Sequence, residues 1–236
     1  MVLLGSFLNA LFIALGTIVG RIFNKIPERI KETIMSIIGL AVAVLGIQMG
    51  FKSENFIIVI VSLVIGTLLG EWLDLDKWFN LFGQKVEHAF MRGKQGDGKL
   101  AEGFVTASLI FVIGSMAIIG ALDSGLRHDH NVLITKGIID GFTAIILAST
   151  FGIGVLLSAF PVFFYQGLIA LCAGWISLYI PDAALQMFIQ EMTATGGIMI
   201  LAIGLNIAGL TKVRVANLLP GIIVVGLIVT VMFIIQ

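Results

Sequence analysis

The sequence predicts an all-α fold, a polytopic bundle of about eight helices crossing a lipid bilayer, with seven crossings as the alternative count. Three observations predict it. Of 236 residues, 58% are hydrophobic and only 12% are charged, where a soluble domain carries about 25% charge, and the mean hydropathy is +1.10. Apolar runs of about 20 residues, the length that spans a bilayer as a helix, recur along the chain. The stretch 137–181 is long enough for two crossings. Its only formally charged residue is Asp140, and Pro161 stands near its middle, where a turn is expected to divide it.

Taken in order, the expected crossings are 2–20, 33–50, 56–72, 103–121, 138–157, 162–179, 192–209 and 217–234. The first, VLLGSFLNALFIALGTIVG, lacks a basic leading segment and is followed by further spans, so it reads as a retained helix and not as a signal peptide. The central split is the least constrained. One crossing plus a re-entrant segment would replace the fifth and sixth and give seven. Lysine and arginine gather on the cytoplasmic side of membrane helices. Eight crossings place Lys52, Arg127 and Lys136 on one side and the rest of the 14 basic residues on the other. Both termini are then extracytoplasmic. The loop 71–101 is the one sizeable polar segment. Leu75, Trp78, Phe79, Phe82, Val86 and Phe90 recur in it at helical spacing, as expected of an amphipathic helix at the cytoplasmic interface. Phe23, Ile26 and Ile30 suggest the same in the first loop, and 91–98 reads as a flexible connection.

Short glycine motifs repeat. Gly16 and Gly20 close the first helix as GTIVG, Gly66 and Gly70 close the third as GTLLG, and a looser ASTFGIG with Gly152 and Gly154 closes the fifth. A two-helix unit copied near 2–50, 56–126 and 138–210 accounts for this. The extra crossing in the third copy inverts its last helix, a relation that many transporters use to build a central site. The direct role of G-x-x-x-G is to let helix backbones touch. Gly152 and Gly154 also mark a place where a helix can break and expose backbone groups.

Polar residues at membrane depth are the candidates for chemistry, because a buried charge or amide needs a partner or water. Lys136 and Asp140 are four apart, on one face of a helix. They read either as an interfacial ion pair or as an ion or substrate ligand. Asn9 and Asn206 carry amides in apolar sequence, and Asp123 ends the fourth helix. Thr17 and Thr67 sit inside the glycine patches, and Ser149, Thr150 and Gln166 complete the candidate path, with Gln48 and Thr193 weaker members. If gathered at one place, these residues form a polar site; if separate, they are glue between helices. Arg127-His128-Asp129-His130 reads as a solvated turn and not a zinc site. Tyr165, Trp175 and Tyr179 are expected to anchor the sixth helix at the interfaces. Cys172, the single cysteine, excludes an intramolecular disulfide and a cysteine-cluster metal site. Zero net charge gives no reason to expect nucleic acid, and no nucleotide, metalloprotease or nucleophile-elbow motif is present. We expect no enzyme activity, no cofactor and no metal. The expected partners are the bilayer, a small ion or solute, and a second copy of the chain.

The run ITKGIIDGFTAIILASTFGIGVLLSAFPVFFYQG, with GSFLNALFIALGTIVG and FVIGSMAIIGALDSGL, resembles the bacterial YdfK/YqgA-like membrane proteins, catalogued as a domain of unknown function. The resemblance covers nearly the whole chain. It implies a multi-helix protein of the bacterial inner membrane, of the kind often labelled a transporter, with no substrate attached. Lys136, Asp140, Asn9 and Asp123 match positions typical of that pattern, which assigns them no role. The leading expectation is a channel or secondary transporter for a small ion or solute, with a central site at glycine-rich helix contacts. The alternative is a structural or signalling membrane protein acting through its cytoplasmic loop.

Overall fold

Along α1 (Leu4–Ile22) the small and polar residues face inward and the large apolar ones face outward. Ser6, Asn9, Gly16, Thr17 and Gly20 are buried, whereas Phe7, Leu11, Leu15 and Ile18 are exposed. A helix in water does the reverse. The pattern recurs in α8 (Ala159–Tyr179), which buries Gln166, Gly167, Ala170 and Ala173 and exposes Phe160, Phe164, Leu168 and Leu171. Lipid is the solvent in which such surfaces are stable. The chain is a multi-pass membrane protein.

The computed structural model describes residues 1–22, 28–79, 81 and 99–235. Between α1 and α8 lie α2 (Glu28–Gly50), α3 (Phe56–Leu73), α4 (Lys99–Val112), α5 (Ser115–Leu126), α6 (Asn131–Phe151) and the short α7 (Gly154–Leu157). α9 (Asp182–Ile207), a 3-10 turn at Val215–Leu218 and α10 (Pro220–Ile235) complete the described elements. Among the described residues, six spans are long and apolar enough to cross a membrane, or seven if the bent pair α4–α5 counts as one. The apolar part of α2, Ser36–Gly50, is shorter.

Three expectations from the sequence are corrected. The central run divides at 152–158 and not at Pro161. Gly152 ends α6 with φ of +66°, a conformation that suits glycine. Pro161 instead sits in the first turn of α8, where a missing N–H breaks no helical bond. The fourth crossing is not one straight helix. It bends by 63° between α4 and α5, at Gly114, whose φ is +146°. The helix expected from 192 begins ten residues earlier, at Asp182 after Pro181, and carries Glu191 inside it.

The chain folds into two compact units. The first comprises Met1–Thr33, Phe79–Val112 and Met116–Ile176. Here α1 packs along α6, both running in the same direction. Asn9 lies against Gly137, Gly16 against Gly141 and Gly20 against Ile145. α4 meets the far end of α6 and α7, where Gly103 lies against Phe151 and Gly154 against the Leu100 backbone. The second unit comprises Ile34–Trp78, Ile113–Ser115 and Ser177–Gln236. In it Gly66 and Gly70 of α3 touch Gly221 and Asn217, so that α3 and α10 run antiparallel. Gly39 and Gly46 of α2 lie against Gly204 and Gly197 of α9, also antiparallel. Each candidate repeat is shared between the two units. The first gives α1 to one and most of α2 to the other, the second divides α3 from α4 and α5, and the third divides α6 and α8 from α9.

Of the amphipathic segment, residues 75–79 are helical, with Trp78 and Leu81 exposed. Phe82, Val86, Phe90 and the connection 91–98 lie outside the described residues, as do Phe23, Ile26 and the side chain of Ile30. Trp175 and Tyr179 are exposed near the end of α8, whereas Tyr165 is half-buried.

Candidate functional site

The first unit holds a polar cluster inside apolar walls. Lys136 and Asp140 lie one turn apart on α6, and the lysine Nζ donates to the carboxylate Oδ2. Their side chains are 7% and 8% exposed. The local sequence, KGIIDG, explains how α1 reaches them. Gly137 and Gly141 lie on the α1 side of α6, and a Cβ at Gly137 would stand 3.0 Å from the Asn9 Cα. The bare backbone lets Asn9 come beside the Asp140 carboxylate. The Asn9 Nδ2 also donates to the Gln166 Oε1 at 3.2 Å, which brings in α8. Both amides are fully buried.

This cluster is incompletely satisfied. The Asn9 Oδ1 and the Gln166 Nε2 are buried without a partner among the described residues. The Ser6 hydroxyl, one turn from Asn9, is in the same condition. Each such group costs about 1–3 kcal/mol. An ion pair at this depth also carries a desolvation cost that apolar residues of the same size would not. Packing alone would be better served by leucine. The arrangement offers one anion, one cation, a free amide oxygen and a free amide nitrogen at the junction of three helices.

Four of the ten candidate path residues, Asn9, Lys136, Asp140 and Gln166, therefore come together. The others have separate roles. Thr17 donates to Ile13 O, Thr67 to Leu63 O and Ser149 to Ile146 O, each within its own helix. Thr150 is buried near the far end of α6 with its hydroxyl unpartnered, about 15 Å along the helix from Asp140. Asp123 pairs with Arg127 at 3.5 Å at the end of α5. Asn206, in the second unit, organises the turn after α9. Its Oδ1 accepts from Val213 N and Thr211 Oγ1, and its Nδ2 donates to Val213 O. Gln48 is exposed, and Thr193 is buried with its hydroxyl unpartnered. Gly16, Gly20, Gly66, Gly70 and Gly154 all meet backbone. Gly152 does not, since a Cβ there would meet nothing within 4 Å, and its part is the chain reversal. In the RHDH turn, Asp129 accepts from Asn131 N. His130 Nδ1 lies 2.8 Å from the Ser124 Oγ, which itself donates to Val2 O.

Sequence reasoning missed Glu191. It is 1% exposed, in the second unit. Its Oε1 accepts from the backbone N–H groups of Glu54 and Asn55 at 3.0 Å, and its Oε2 accepts from the Ser53 hydroxyl at 2.6 Å. The carboxylate thereby fixes the turn 53–55 that leads into α3, whose own N-cap is Asn55, with its Oδ1 accepting from Ile57 N. Its signal was present, a lone acid beside the apolar run MTATGGIMILAIGL. The expected start at 192 left it just outside the membrane.

The chain is similar to bacterial proteins over nearly its whole length. A family model described as "Protein of unknown function (DUF554)" matches residues 4–230. The "Uncharacterized membrane protein YdfK" of Bacillus subtilis (strain 168) is 38% identical over 226 residues, which is 93% of each chain. The "Uncharacterized protein YqgA" of Escherichia coli (strain K12) is 30% identical over 223 residues, again 93% of each. No solved structure matches.

Proposed function

Because the chain belongs to the DUF554 family, we propose its function from its own geometry: a transporter or channel for a small ion or solute, without enzymatic activity. The observation that carries this is the buried quartet Asn9, Lys136, Asp140 and Gln166, unsatisfied at two atoms within a unit whose outer face is lipid-facing. Charged groups inside a membrane bundle are costly and mark ion or substrate pathways. Gly137 and Gly141 of α6 let α1 pack closely beside this quartet, which supports the reading. We further propose eight crossings, with both termini extracytoplasmic in the bacterial inner membrane. The common direction of α1 and α6 requires an odd number of crossings between them, which the eight-crossing arrangement meets with α2, α3 and the bent pair α4–α5. A second copy of the chain is proposed to complete the pathway, since one chain this small encloses only part of it.

The test is flux into liposomes containing purified protein, comparing wild type with Asp140→Asn. The expected result is flux in the wild type and loss of most of it in the variant. Equal flux in the two would remove Asp140 from the pathway. No flux of any ion or solute would favour the other reading, a partner-binding role for the loop 71–101.

A further inference from the structure

We infer that the quartet is an exchange site at which a monovalent inorganic cation and the Lys136 proton compete for the Asp140 carboxylate, so that the protein is a cation/proton antiporter. The inference rests on the transport reading above and names its substrate.

Lys136 and Asp140 neutralise each other in a place that excludes water. A cation entering to bind Asp140 would leave the ammonium of Lys136 buried beside it with no anion. A lone buried charge costs several kcal/mol, and a buried lysine avoids that cost by losing its proton. The step balances. The cation takes the carboxylate, an N–H bond of Lys136 breaks with its electron pair staying on Nζ, and the proton leaves to water. The net charge of the site is the same before and after.

The ligands present fit such an ion. Hard cations take oxygen, and the Asn9 Oδ1 is a buried oxygen without a partner among the described residues, on the same amide that hydrogen-bonds the Asp140 carboxylate. Gln166 holds the Asn9 amide by its nitrogen end, which leaves that oxygen free. One carboxylate suits a single positive charge, and no cluster of three acidic, histidine or cysteine side chains that would hold a divalent ion occurs among the described residues. The neighbours add no competing charge at this level. α1 carries its charge at Arg21 in the last turn, and α8 carries none, with the Tyr165 phenol next to Gln166 in sequence. On α5, Asp123 is paired with Arg127, and at the start of α6 His130 is engaged with Ser124. α4 brings Glu102, in its first turn, to the opposite end of α6.

The experiment uses the full chain in liposomes with a trapped pH dye and an imposed gradient of Na⁺, Li⁺ or K⁺, with cation uptake measured in parallel. The expected result is cation entry accompanied by proton exit, insensitive to a clamped membrane potential. Lys136→Arg is the decisive variant. It keeps the ion pair and the fold, but arginine does not release its proton, so both fluxes should fall at least tenfold. Lys136→Gln should take up the cation without moving protons. Coupled exchange that persists in Lys136→Arg, or wild-type cation uptake without proton movement, would overturn the inference and leave transport standing. Equal exchange in wild type and Asp140→Asn would likewise overturn the inference and leave transport standing, whereas absence of any flux would overturn the transport reading as well.

Discussion

Replacing Gly16 by alanine tests the contact that holds the site together. A Cβ at Gly16 would lie 2.1 Å from the carbonyl oxygen of Gly141 and 2.9 Å from its carbon, where ordinary contact begins near 3.4 Å. Both atoms are backbone, so no rotamer change relieves the overlap, and α1 must retreat from α6 by roughly 1 Å. Overpacking of this kind costs about 1–3 kcal/mol. The intrinsic gain of alanine over glycine in a helix, about 1 kcal/mol, offsets part of that. Gly174 of α8 supplies the matched control, because a Cβ there meets nothing within 4 Å. Gly174→Ala should show only the gain. The gain is common to both, so the two variants should differ by the overpacking cost, about 1–3 kcal/mol in unfolding free energy. SDS titration of the solubilised protein, followed by tryptophan fluorescence and circular dichroism, measures this. Gly20→Ala should resemble Gly16→Ala, since its Cβ would stand 2.2 Å from Ile145 O. Equal midpoints for Gly16→Ala and Gly174→Ala would refute the close backbone contact, and with it the route by which Asn9 reaches Asp140.

Three further outcomes are expected. Lys136→Met and Asp140→Leu should each destabilise by about 3–5 kcal/mol by leaving one buried charge unpaired, while the double variant recovers most of the loss; the same SDS titration run as a double-mutant cycle reads the coupling. Glu191→Ala should destabilise by at least about 2 kcal/mol, because three donors lose their acceptor, and should raise hydrogen exchange at the amides of Glu54 and Asn55 before the rest of the second unit; unchanged exchange there would show that the carboxylate is not their acceptor. In a variant whose native Cys172 is replaced, cysteines at Lys52 and Arg127 should react with an impermeant reagent in intact cells, and cysteines at Lys77 and Arg214 only after permeabilisation; the reverse pattern would invert the proposed topology.

Helix existence was legible in the sequence because a bilayer imposes length and apolarity on any span, and the long apolar runs report both. Breaks were harder. Pro161 looked like the divider of the central run, yet proline is tolerated in a first turn, and the reversal belongs to Gly152, which composition does not distinguish from the packing glycines. The bend at Gly114 was hidden in the same way within an apolar run. Half of the site was legible through spacing, since Lys136 and Asp140 four apart must share a face. The partnership of Asn9 with Gln166 was not, because which amides meet depends on which helices pack. Asn206 looked equivalent to Asn9 in sequence, but it lies where α9 ends, and its side chain closes a turn.

The two buried carboxylates differ in a way that assigns the proposed exchange to one of them. Both are almost fully excluded from water, and both are anions that need compensation. Glu191 receives it from two backbone N–H groups and a hydroxyl in the turn that leads into α3. Backbone donors cannot swing away, so that anion is fixed for as long as the loop is folded. Asp140 receives it from a lysine on a flexible four-carbon stem whose charge can itself be removed. Its other neighbour, Asn9, has a side-chain oxygen without a partner among the described residues. Fixed compensation makes a staple, whereas removable compensation is what the proposed trade of one cation for another requires. The difference is between donors on the main chain and a donor on a side chain, and it predicts that substitutions at Glu191 change stability first while conservative substitutions at Lys136 change transport first.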